Sequence, residues 1–93
     1  MFIGLLTLSL HFPGARSLKD KRQALRSLEA RLRNKFNVSV AEVEYQDLWQ
    51  RSRLAVLTVN TDHGHLESTL SAAVGCARQS REIEVLDAET ELL

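Results

Sequence analysis

The hydrophobic period of this chain switches between two and 3.6 residues in a fixed order, and that order leaves few folds open. Residues 2–12 alternate, with Leu6, Leu8, Leu10 and Phe12 on one side and Thr7, Ser9 and His11 on the other. Ile3 and Leu5 open the wetter side. That is a strand with one face on a core, and Pro13-Gly14 ends it. Ser17 is a helix N-cap with Asp20 at the third position, where its carboxylate can reach back to the cap. At 100° per residue, Leu18, Leu25, Leu28, Leu32 and Phe36 fall inside an arc of about 80°, which predicts a helix to Asn34 or Lys35.

Asn37 breaks that helix, and Val38, Val40, Val43 and Tyr45 form a second strand. Its apolar parity slips between Val40 and Val43, predicting a bulge near Ala41-Glu42. A short connection, residues 46–50, leads to a third strand over about 53–61. Asp62 caps a second helix, about 63–79, with Leu66, Leu70, Ala73, Val74 and Ala77 on one face. A last strand starts near Glu82 with Ile83 and Val85 inward, and its parity slips again at Leu86. The order βαββαβ, with right-handed crossovers and a single apolar stripe per helix, predicts one α+β domain over 1–93. Its architecture is a ferredoxin-like sandwich, a four-stranded antiparallel sheet with both helices on one face.

Composition excludes more than it assigns. With 44% apolar and 26% charged residues the chain is globular. A lone Cys76 rules out an internal disulfide or a multi-cysteine metal cluster and favours a reducing, cytoplasmic setting. No run reaches the ~18 apolar residues of a membrane span, and the apolar start lacks the basic and cleavage elements of a signal peptide.

Charge is segregated although it sums to zero. Arg16 to Lys35 holds eight Lys or Arg against Asp20 and Glu29, 8 − 2 = +6, so the remainder carries −6. Lys19, Arg22, Arg26 and Arg33 project at about 100°, 40°, 80° and 60°, one stripe beside the apolar face. Arg16 precedes the helix and Lys21 sits in its first turn, where unpaired N–H groups also favour an anion. Arg16, Lys19, Lys21, Arg22, Arg26 and Arg33 are therefore the candidate nucleic-acid or anion contacts. The competing account is a solvated face paired weakly with Glu82, Glu84, Asp87, Glu89 and Glu91. RNA-recognition domains of this architecture stack bases on sheet aromatics, and the third strand here has none, so contact would be backbone-directed through the helix, or shape-directed.

Leu48 and Trp49 occupy a hairpin connection where turn chemistry prefers Gly or Asn, either as a lid on the core or as an interface anchor. A homodimer through this hairpin and its neighbouring edge strand, or across the open sheet face, is the matching expectation. His63, His65, His11 and Cys76 are the only metal-like set, and positions i and i+2 of a helix do not face each other, so no metal or cofactor is expected. Cys76 reads as a small buried filler. An acylphosphatase-like hydrolase would use Arg16 for phosphate and Asn60 for water, but the Gly-rich loop of those enzymes is missing from residues 12–17.

Four stretches carry a family resemblance: Phe2-Ile3-Gly4-Leu5-Leu6, Ser17-Leu18-Lys19-Asp20-Lys21-Arg22, Phe36-Asn37-Val38-Ser39-Val40-Ala41-Glu42-Val43 and Asp47-Leu48-Trp49-Gln50-Arg51. In that order and spacing the chain resembles, end to end, the YlxP-like family of small bacterial proteins. The resemblance implies a ferredoxin-like fold, a bacterial cytoplasmic protein and a gene often near those for translation initiation and ribosome maturation factors. It implies no activity. The residues and the resemblance together predict a non-enzymatic binding protein associated with RNA or a ribosomal particle. The alternative is a self-associating structural or regulatory domain.

Overall fold

The computed structural model describes every residue from Met1 to Leu93. Its elements are β1 (Phe2–His11), α1 (Leu18–Lys35), β2 (Ser39–Glu44), β3 (Arg51–Asn60), α2 (His63–Arg78) and β4 (Glu84–Leu92). They build one antiparallel sheet in the order β2-β3-β1-β4, the predicted ferredoxin-like arrangement. No helix is long and apolar enough to cross a membrane.

The alternation of β1 sets the two faces of the sheet. Leu6, Leu8 and Leu10 are fully buried with Leu54 and Val56 of β3, in one core with Leu25, Leu28 and Leu32 of α1 and Leu66, Leu70, Ala73 and Ala77 of α2. Gly4 lets α2 approach: a Cβ there would lie 2.8 Å from Leu70 Cδ1 and 2.9 Å from Leu66 Cδ2. Cys76 is buried among these side chains.

Both parity slips are bulges. The β2–β3 register shifts between Glu42 and Glu44, which makes Val43 the extra residue, one position beyond the predicted pair. In β4 the register shifts opposite Ser9 and Leu10, where Leu86 is the unpaired residue. The strand itself starts at Glu84, two residues later than expected.

Both helix caps form. Ser17 Oγ accepts from the Asp20 N–H at 3.1 Å, and Asp62 Oδ1 accepts from the His65 N–H at 2.9 Å. The reciprocal bond of α1 is displaced by one residue, since Asp20 Oδ2 accepts from the N–H of Arg16 rather than from that of Ser17.

Candidate nucleic-acid interface

The helical period divides the α1 cations into groups with different chemistry. Lys21 falls inside the apolar arc, between Leu25 and Leu28, and is fully buried. A buried ammonium must find acceptors or lose its charge. Lys21 Nζ donates to Glu42 Oε2 (3.0 Å) and to the carbonyls of Tyr45 (2.8 Å), Arg51 (3.1 Å) and Gln46 (3.3 Å). Ser52 Oγ donates to the same Glu42 oxygen at 2.7 Å. The three N–H bonds of Lys21 are shared among these four acceptors of the β2–β3 hairpin, and no proton remains for an external anion. Lys21 is a structural clamp, which corrects its assignment to the anion-binding set.

Two arginines are partly engaged. Arg33 Nη2 donates to the Val40 carbonyl at 2.9 Å and lies 3.5 Å from Glu29 Oε2. It places a charge over the edge strand β2 and blunts that edge for pairing with a second copy. Arg31 ties α1 to the segment after α2 through Ser80 Oγ at 2.7 Å. Burial lifts the Glu29 carboxyl above its ordinary value, with Arg33 acting against the shift and Glu42 adding to it.

The side chains of Arg16, Lys19, Arg22 and Arg26 are exposed and form no ion pair or hydrogen bond within the protein. The acidic C-terminal stretch does not quench them. The register sets Glu84, Asp87, Glu89 and Glu91 beside His11, Ser9, Thr7 and Leu5, the sheet face turned away from the helices. Glu84 pairs there with His11 Nδ1 at 3.4 Å. Glu82 lies in the wall of a shallow groove with Asp20 and Gln23, without an ion pair to any α1 cation. The molecule's shorter dimensions are 20 and 18 Å, about twice the screening length of about 8 Å at physiological salt. The molecule therefore presents a cationic helical side and a separate acidic sheet edge.

The hairpin connection is fixed and yet projects. Tyr45 takes a left-handed backbone, φ 65°, a cost of about 1–2 kcal/mol for a non-glycine residue, with its carbonyl held by Lys21. The Leu48 N–H donates back to the Tyr45 carbonyl at 3.1 Å. Gln50 Nε2 donates to the Ala15 carbonyl at 3.0 Å, and the Phe12 N–H donates to the Gln50 carbonyl at 3.0 Å. Leu48 and Trp49 nonetheless stay 47% and 54% exposed. Trp49 is not a lid. The Arg51 guanidinium lies 5.1 Å and that of Arg53 5.8 Å from the Tyr45 ring centroid.

The remaining chemistry disperses. Asn60 pairs with Phe2 at one end of β1, whereas Arg16 follows the His11 end. Ten extended residues separate them by roughly 30 Å, so the acylphosphatase-like pair does not assemble. His63 lies 3.4 Å from Glu67 and edge-on to Phe2, His11 serves Glu84, and Cys76 is in the core.

The clamp was the missed feature. Its signal was a lysine inside an apolar helical arc together with a glutamate on the inward parity of β2, beside Val40. Both residues lie in stretches that carry the family resemblance.

Comparison with known proteins decides the family. The model of a family described as "Protein of unknown function (DUF503)" matches residues 3–90. The chain belongs to that family. The Bacillus subtilis (strain 168) protein named "Uncharacterized protein YlxP" is 38% identical over 77 residues, 83% of this chain and 84% of the relative. The YlxP-like resemblance thus holds over nearly the whole fold. For this DUF503 protein the fold, the clamp and the free cations supply the functional argument, since neither name carries an activity.

Proposed function

We propose that this DUF503 protein is a non-enzymatic, cytoplasmic binding protein that contacts RNA, free or within a ribosomal particle, through the outward cations of α1. The observation that carries the reading is the free state of Arg16, Lys19, Arg22 and Arg26, with the acidic residues of β4 on the other face. Each phosphate such a cation neutralises releases a counterion, which makes binding salt-dependent. Co-sedimentation with ribosomal particles, weakened by salt and by Arg22→Glu/Arg26→Glu, is the expected result. Insensitivity to both would remove the proposal.

A second reading, association of two copies, is supported by the open sheet face. Leu57 and Val59 of β3 are 41% and 47% exposed there, next to the half-buried Leu5 and Ile3 of β1. The acidic column of β4 borders this patch and would repel its own copy. A mass that rises with concentration in wild type and falls in Leu57→Glu supports the reading; a constant monomer mass rejects it.

A further inference from the structure

We infer that Trp49 is a stacking platform for an unpaired nucleic-acid base, on a hairpin tip that Gln50 ties to the segment carrying Arg16, which holds a flanking phosphate. The inference rests on the RNA reading above and names the form of nucleic acid that the site accepts.

A large aromatic left more than half in water forgoes the burial that usually justifies its presence. Its loop is pinned on two sides, by Lys21 Nζ on the Tyr45, Gln46 and Arg51 carbonyls and by the Gln50 side chain on the Ala15 carbonyl. The indole is therefore offered from a rigid support, and ordering it on contact costs little.

The Gln50–Ala15 bond joins the hairpin tip to the segment that enters α1, so Trp49 is one residue from a contact whose other partner is one residue from Arg16. Arg16 is exposed and its side chain is unpaired. The tip itself is polar apart from Leu48: Gln46, Asp47 and Gln50 are the other residues of the turn. A protein hot spot is ringed by contacts that exclude water, and one apolar neighbour among polar side chains does not supply that ring. An aromatic face with a cation on the adjoining segment is instead the pattern that holds single strands, with bases on the ring and phosphates on the charge.

A duplex does not fit a projecting indole. The major groove of an A-form helix is too deep and narrow for side chains, and its paired bases present edges rather than faces. A projecting indole can stack only on a base in a loop, a bulge or a single strand. Asp47 is the one carboxylate on the tip, and removing it should strengthen binding.

Trp49 is the chain's single tryptophan, so its intrinsic emission reports the site directly. The full chain is titrated at low salt with a short single-stranded oligoadenylate, and separately with an RNA duplex of the same length. Expected are quenching by the single strand alone, a loss of affinity of about 5- to 150-fold in Trp49→Ala, and recovery of most of it in Trp49→Phe. The salt slope should stay unchanged in Trp49→Ala, and Asp47→Asn should bind more tightly. If Trp49→Ala binds as well as wild type while Arg22→Glu/Arg26→Glu does not, stacking is overturned and the RNA reading stands. Equal quenching by duplex, or an emission shift that follows protein concentration without RNA, also overturns stacking. Failure of wild type to bind either RNA at low salt removes both.

Discussion

Lys21 and Arg22 are neighbours in sequence and carry the same charge, but the first is sealed beneath the helix and the second stands in solvent. One step of 100° separates them. On the inward side the ammonium has replaced its water with a carboxylate and three carbonyls, so its charge works within the protein. On the outward side Arg22 has no partner, and its field extends to whatever approaches. A run of basic residues is thus not one feature. The position of each on the helix decides whether it serves stability or binding.

The largest effect is expected at Lys21. Lys21→Met leaves Glu42 and the hairpin carbonyls without their donor and should cost about 3–5 kcal/mol, whereas Arg22→Ala should stay within about 0.5 kcal/mol. Urea midpoints at constant m-value measure both, and equal small shifts would show that the clamp adds nothing. Ser52→Ala removes a second donor from the same Glu42 oxygen; its expected cost is about 1.5–3 kcal/mol, that of a hydrogen bond to a charged acceptor.

On the outward side, Arg22→Glu/Arg26→Glu alters binding rather than stability. It should leave the unfolding midpoint nearly unchanged and reduce the slope of log affinity against log salt by at least about 1.4, or two single-strand phosphate contacts. A large loss of stability in this pair would place both cations with Lys21.

The smallest effect is expected at Glu29, which lies between the two regions. Burial raises its carboxyl above the ordinary value near 4.5, so the folded chain holds the proton more tightly than the unfolded chain does. This contribution to stability is complete at low pH and is lost as pH rises from about 4.5 through the raised value. Glu29→Gln should flatten stability against pH in that window, read from urea midpoints across the acid range. An unchanged profile would mean that Glu29 titrates as it does in water.

Most of the secondary structure was legible in order and extent, since strand and helix periods differ and the caps are side-chain chemistry local to each helix. The bulges at Val43 and Leu86 announced themselves as slips of parity. The candidate site was legible only in part. Arg16, Lys19, Arg22 and Arg26 remain on it, Arg33 shares its charge with the Val40 carbonyl, and Lys21 leaves it. The pairing of Lys21 with Glu42 joins residues 21 apart in sequence, and the one-dimensional pattern gave only the inward position of each.

The sequence alone determined the alternation that makes the sheet, the apolar stripes that fix both helices to one face, and the segregation of charge into a basic segment and an acidic one. These follow from spacing along the chain, which local geometry converts directly into faces. Tertiary structure decided which cations are spent inside the molecule, that the acidic column of β4 lies away from them, and that Trp49 projects from a fixed loop. Those outcomes depend on distances between elements remote in sequence, and burial, pairing and screening are set by those distances.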